Sequence, residues 1–95
     1  MLNHRQELEK IAAEKESKSF VHIQRMYDDL AEQLKERQQY EDACDVLYVK
    51  VVDLFNYRLL VQALDVLTAN RAFFNEYANY YLLLCARSAA ITILD

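Results

Sequence analysis

The sequence predicts an all-α protein, and two features of its 95 residues carry that prediction. Glycine and proline, which break helices and shape tight turns, are both absent. A β-rich fold, which depends on such turns, is therefore nearly excluded. Apolar residues also recur at intervals of three and four, as they do on the buried face of a helix. We expect a small antiparallel helical bundle, or an array of helical hairpins, with three to five helices.

The N-terminal segment, from Leu2 to Arg37, has the composition of a helix, because Glu, Lys, Gln, Ala and Leu dominate it. Its apolar stripe consists of Phe20, Ile23, Tyr27, Leu30, Ala31 and Leu34. The segment Ser17-Lys18-Ser19 is either a cap with a break or a stretch of solvated face, and we favour the solvated face. We treat residues 1–95 as one domain, in which 1–20 are an N-terminal helix that frays or needs a partner and 21–95 form the core.

Two connections are expected from the pattern of polar residues. A helix end followed by a helix start, with basic and then acidic side chains, predicts a short turn at Gln38-Gln39. The polar stripe jumps to the opposite side between Asn56 and Arg58. Either the chain breaks near Asn56, a residue type that tolerates the left-handed conformation, or one long helix passes from one partner to another, and we favour the break. From Arg58 to about Ile93 one register is kept, and either one long helix or a second connection at Thr68-Ala69-Asn70 fits.

The helix that begins near Tyr40 is expected to be buried over most of its circumference. Apolar side chains occupy two neighbouring faces of it. Its solvated stripe is assigned to Asp42, Asp45, Asp53 and Asn56.

The residues from Tyr27 to Leu47 resemble the helical hairpin of tetratricopeptide repeats. The family's large and small apolar positions are matched by Tyr27, Leu30, Ala31, Leu34, Ala43 and Leu47. Gln38 stands where the family has its turn glycine, and after a further repeat length the pattern returns incompletely. The resemblance implies binding of a peptide or partner helix along a concave surface, not catalysis. A generic antiparallel hairpin, with small residues where its helices approach closely, accounts for the same positions.

Charge and composition narrow the classes of function. The net charge of −4 and the isoelectric point near 5.1 oppose binding to nucleic acid. The longest apolar stretch, Tyr80 to Ala86, is far shorter than the roughly 20 residues of a membrane span. The first ten residues do not resemble a secretory signal, and Cys44 and Cys85 form no disulfide or metal motif. We expect a cytoplasmic protein with no membrane span and no nucleic-acid partner.

The sequence offers no spacing typical of a catalytic or metal site. His4 and His22 are far apart, and neither lies near a cysteine. His4 is assigned to the solvated surface and His22 to the boundary of the apolar stripe. Acidic residues are explained by solvated helical faces. We expect no enzymatic activity, no cofactor and no metal.

The chain carries more apolar side chains than a small helical domain easily buries, since 54% of its residues are hydrophobic. Four aromatic residues at helical spacing are the predicted partner-binding residues: Phe73, Tyr77, Tyr80 and Tyr81. Ordinary core and a small-ligand pocket are the alternative interpretations of this cluster.

The expected function is therefore that of a protein–protein interaction module, such as an adaptor, assembly factor or small chaperone. It would bind another protein or itself, and a homo-oligomer is expected. The alternative is a small acidic stoichiometric inhibitor or regulator that docks on an enzyme or transcription complex.

Overall fold

The computed structural model describes residues 1–94 and shows six α-helices, with no strand among those residues. The helices are α1 (His4–Glu14), α2 (Phe20–Glu36), α3 (Tyr40–Asn56), α4 (Leu60–Ala69), α5 (Arg71–Tyr77) and α6 (Tyr80–Leu94). The all-α prediction is confirmed, whereas the expected count of three to five helices is wrong. Within residues 1–94, none of the helices combines the length and the apolarity needed to cross a membrane.

Helix α3 lies at the centre of the fold and contacts each of the other five helices. It is buried on most sides, through Ala43, Cys44, Val46, Leu47, Val51 and Leu54. The long helix α2 packs antiparallel to it and contributes Ile23, Tyr27, Leu30, Ala31 and Leu34 to the same core. The core is therefore densest between α2 and α3, where all six positions that resemble a tetratricopeptide hairpin are buried.

The two connections predicted from the sequence are confirmed, and both have the same geometry. The Gln39 amide donates to the Leu34 carbonyl at 2.8 Å, and the Leu59 amide donates to the Leu54 carbonyl at 2.9 Å. In each turn the preceding residue has a positive φ, 62° at Gln38 and 63° at Arg58. This is the Schellman ending of a helix, in which glycine normally occupies the left-handed position. Asn56, expected to be the left-handed residue, instead lies in the last turn of α3.

Three further breaks interrupt the chain, and polar side chains support each of them. The favoured interpretation of Ser17-Lys18-Ser19 is wrong, because Ser19 ends the connection and its Oγ accepts from the His22 amide at 3.2 Å. The alternative of a second connection at Thr68-Ala69-Asn70 is confirmed, but a further break at Asn79 was not expected, so the segment from Arg58 to Ile93 contains three helices. Asn70 separates α4 from α5, and the Asn79 side chain accepts from the Leu82 amide at 2.8 Å at the start of α6.

Glycine at either left-handed position is expected to stabilise the fold. A non-glycine residue in this conformation costs about 1–2 kcal/mol, and the greater freedom of glycine in the unfolded chain offsets some of that gain. Gln38→Gly and Arg58→Gly should each raise the free energy of unfolding by about 0.5–1 kcal/mol in urea denaturation. The matched control, Gln33→Gly on the exposed side of α2, should lower it by about 1 kcal/mol. Equal losses at all three positions would contradict the strain assigned to the turns.

Candidate functional site

A polar seam joins α1 to α3 and involves the acidic residues assigned to a solvated stripe. At the start of α1, His4 Nε2 lies 3.1 Å from Asp45 Oδ2, and His4 Nδ1 lies 3.5 Å from Asp42 Oδ1. The His4 side chain is only 13% exposed, so its assignment to the solvated surface is wrong. Burial raises the pKa of Asp45, and the hydrogen bond with His4 partly offsets that rise.

The same three side chains are the candidate ligands for a metal ion among the described residues, because their donor atoms lie within 4.8 Å of one another. The two ring nitrogens of His4 face different carboxylates, Asp42 and Asp45, on opposite edges of the ring. One cation could take only one of these nitrogens, and would disrupt the contact at the other. The arrangement is therefore best explained as a contact that fixes the start of α1 on α3.

At the other end of the seam, Asp53 accepts hydrogen bonds from two side chains. Lys15 Nζ lies 2.8 Å from Asp53 Oδ2, and the hydroxyl of buried Tyr27 donates to the same oxygen. Burial raises the pKa of Tyr27 to about 12, and its hydrogen bond to Asp53 adds to the rise. Burial lowers the pKa of Lys15, but its contacts with Asp53 and Tyr27 outweigh that effect, so the pKa lies above its usual value. These contacts join α1, α2 and α3 and create no unpaired reactive group.

Two other buried groups, Cys44 and Gln24, lack the properties of a reactive site. Burial raises the pKa of the Cys44 thiol to about 12, so this cysteine stays protonated at neutral pH and is a poor nucleophile. The side-chain amide of Gln24 is buried, and neither its nitrogen nor its oxygen has a hydrogen-bond partner among the described residues. It lines a cavity of about 80 Å³ beside Lys15 and Asp53, which is too small for an organic substrate.

The four predicted partner-binding residues are divided between two helices. Phe73 and Tyr77 lie in α5 and are partly buried, with ring centroids 6.2 Å and 4.5 Å from that of Tyr40. Tyr80 and Tyr81 lie at the start of α6 and are exposed. The break between α5 and α6 therefore prevents the single aromatic face that the spacing indicates. A role in partner binding stays a prediction for all four residues.

Helix α6 exposes large apolar side chains along its outer side. Only Leu82 and Ala86 of its 15 residues are buried, and Arg87 is its one charged residue. The exposed residues are Tyr80, Tyr81, Leu84, Ile91 and Leu94, here called the α6 face. Tyr80, Tyr81 and Leu94 are 71% to 78% exposed. Single exposed apolar residues are ordinary, but five on one short helix form a patch typical of an interaction site.

The spacing along the α6 face is that of a helix packed lengthwise against another helix. Tyr80, Leu84, Arg87, Ile91 and Leu94 follow one another at intervals of four, three, four and three residues. Sequence reasoning missed the last four of these, although their spacing and the near absence of charge in this segment were visible. The register was obscured because the polar stripe of the preceding helices was extended across the break at Asn79.

Two apolar grooves flank α6. One, with a volume of about 290 Å³, lies against α3 and is lined by residues that include Tyr48, Phe55 and Cys85. The other has a volume of about 440 Å³ and lies between α6 and the pair α4 and α5. Helix α6 is therefore a ridge with an apolar depression on each side.

The larger depression is here called the arginine-flanked groove. The buried residues Leu67, Phe74 and Ala86 are among those that line it, and Arg71 of α5 and Arg87 of α6 stand on its two sides. Neither arginine forms an ion pair with another residue of 1–94. None of the described residues that line the groove is acidic. The groove is thus a locally cationic, apolar site in a protein of net negative charge.

Comparison of the chain with protein-family models, with curated proteins and with solved structures gives no match.

Replacement of Tyr27 by phenylalanine is expected to lower the free energy of unfolding by about 1–2 kcal/mol at pH 7, because the hydrogen bond to Asp53 is lost. The pKa of Tyr27 in the fold, about 12, exceeds the usual value of 10.0. The stability linked to this phenol is therefore complete below pH 10 and is lost as the pH rises towards 12. Tyr27→Phe should lose less stability over that interval than the native chain. Denaturation at each pH is the measurement, with exposed Tyr80→Phe as the control that should match the native chain.

Replacement of Gln24 by leucine is expected to raise the free energy of unfolding by about 1 kcal/mol. The change removes two buried polar atoms that have lost their hydrogen bonds to water, and it keeps a side chain of similar size. Thermal and urea denaturation provide the measurement. Gln33→Leu, at an exposed position of the same helix, should change stability by less than about 0.5 kcal/mol. A loss of stability specific to Gln24→Leu would show that its amide is satisfied.

Proposed function

We propose that this protein is a helical protein–protein interaction module, of the adaptor or assembly-factor kind, that binds its partner through the α6 face. One observation carries the proposal: five large apolar side chains lie exposed on a helix with a single charge. Their helical spacing suits a partner that packs along α6. The resemblance of Tyr27 to Leu47 to a tetratricopeptide hairpin supports the same class of function.

The size of the face is consistent with modest affinity. Full burial of one large apolar side chain contributes roughly 1.5–3 kcal/mol, so five of them contribute on the order of 10 kcal/mol. Association itself costs a similar amount in lost motional freedom, within a wide range. The α6 face alone therefore supports only weak, reversible binding, with a dissociation constant of about tens of micromolar even if association costs only about 4 kcal/mol.

The position of Arg87 helps to decide whether the partner at the α6 face is a second copy of this chain or another protein. It lies at the midpoint of the stripe from Tyr80 to Leu94. Two copies of α6 packed antiparallel about a twofold axis would bring Arg87 against Arg87, and a parallel pair in register would do the same. Like charges at such a contact are unfavourable. We therefore favour another protein over a symmetric homodimer at this face.

Site-specific photo-cross-linking in cells that produce the protein tests the proposal. A benzophenone amino acid at Leu84 or Ile91 should give a discrete adduct, identified by mass spectrometry, with another protein. The same probe at Gln33, exposed on α2, should not give it. In the Leu84 probe chain, Ile91→Asp should abolish the adduct while the helical circular dichroism is unchanged, because a buried charge opposes packing.

Each alternative gives a distinct outcome. An adduct of twice the 11.2 kDa chain mass would assign the face to self-association and overturn the preference for another protein. A partner identified as an enzyme or a transcription complex whose activity the protein blocks would favour the inhibitor or regulator. Equal labelling at Leu84, Ile91 and Gln33 would overturn the proposal that the α6 face is the interface.

A further inference from the structure

We infer that the arginine-flanked groove binds an amphipathic helix of another protein, and that carboxylates of this helix pair with Arg71 and Arg87. The inference rests on the proposed function and deepens it, because it specifies the chemistry of the partner. The groove adjoins the α6 face, because Ile91 and Leu94 of that face also line the groove. Arg87, which lies between Leu84 and Ile91 on the same side of α6, lines it as well. A helix seated there would contact both surfaces at once.

The residues that line the groove suit the binding of a helix. Its volume of about 440 Å³ is the largest among the described cavities, and its floor includes Leu67 and Phe74. On the α6 side the lining includes Ala86 and Ala90, whose small side chains leave room for close approach of a second backbone. Helices bind such grooves through apolar residues spaced three and four apart.

The distribution of basic residues indicates the charge of the partner. Only four basic residues follow Gln39: Lys50, Arg58, Arg71 and Arg87. Lys50 Nζ lies 2.7 Å from Asp28 Oδ1, and Arg58 occupies the left-handed position of a turn. The other two flank the groove without an ion pair to any residue of 1–94. Because guanidinium groups match carboxylates in planar geometry, an acidic flank on the partner helix fits them.

A second copy of this chain is a poor occupant. Helix α2 carries exposed carboxylates, but Val21 is its one exposed large apolar residue. The one exposed large apolar residue of α3 is Val52, and α1 has no exposed residue of this kind. The helices with larger apolar exposure, α4 and α6, are themselves the walls of the groove. The described helices therefore provide no free segment with both an apolar stripe and an acidic flank.

Synthetic peptides and the full chain test the inference. The probe is an amphipathic helix of about 18 residues, with leucines at every third and fourth position and glutamates beside them. Matched peptides carry glutamine or lysine in place of glutamate. The glutamate peptide should bind about five- to tenfold more tightly than the glutamine peptide, as two partly exposed ion pairs allow. The difference should shrink when the salt concentration is raised.

Reversing the charge of the two arginines tests whether the preference for the glutamate peptide arises at the groove. Arg71→Glu with Arg87→Glu should reverse the preference, so that the lysine peptide binds more tightly than the glutamate peptide. Arg25→Glu is the matched control, because Arg25 is exposed on α2, away from the groove. It should leave the ratio of the two affinities within about twofold of the native value. Amide chemical-shift changes on peptide addition should cluster at α4, α5 and α6.

The outcomes separate this inference from the proposed function. Equal binding of the three peptides, or no reversal by the double variant, would overturn the acidic-helix inference, while specific cross-links at Leu84 would still support an interaction module. Shift changes confined to the groove between α3 and α6 would overturn the location. Stoichiometric binding of palmitate without binding of any peptide would assign the groove to a carboxylate lipid instead. Absence of both peptide binding and specific cross-links would overturn both proposals.

Discussion

The central position of α3 is the constraint on which the rest of the structure depends. A helix that contacts five others must be apolar around most of its circumference, and α3 meets this requirement with residues such as Val46 and Val51. Its acidic side is the exception, and that side receives α1. Because His4 binds at one end and Lys15 at the other, polar contacts align α1 parallel to α3. Apolar burial thus fixes α2 against α3, whereas α1 is held by these polar contacts together with the buried side chain of Ile11.

Because the chain has no glycine, its turns are formed by other residue types. Two turns use a left-handed Gln38 and Arg58, each at a conformational cost of about 1–2 kcal/mol. Both occur at the ends of helices that pack closely on α3 or belong to it, where apolar burial offsets the strain. The breaks at Ser19 and Asn79 use side-chain caps instead. The two strained turns therefore flank α3, the central helix, one on each side of it along the chain.

The sequence was informative where a periodic pattern changed, and uninformative where a polar residue suited two environments. The jump of the polar stripe located the end of α3, because no straight helix could solvate both stripes. The cap at Ser19 was considered but not favoured, and the one at Asn79 was missed, since serine and asparagine are equally suited to a cap and to an exposed helical face. The contacts of His4 were also missed, because its partners lie 38 and 41 residues further along the chain and local spacing carries no trace of them. Only the folded arrangement of α1 and α3 brings these groups together.

The helices differ in how completely they are buried, with α2 and α3 at one extreme and α6 at the other. The facing sides of α2 and α3 are packed against each other, whereas α6 rests on α3 and α4 with a groove on either side and an apolar outer face. A helix with few buried residues is only weakly stabilised by the rest of the fold, because packing supplies most of the stability of helices in proteins. A partner that covered the α6 face would add apolar contacts present only in the folded protein, and would stabilise α6 in proportion to its affinity. If the proposed partner helix binds, the same event would complete the packing of the C-terminal helices, and Arg71 and Arg87 would favour a helix with an acidic flank.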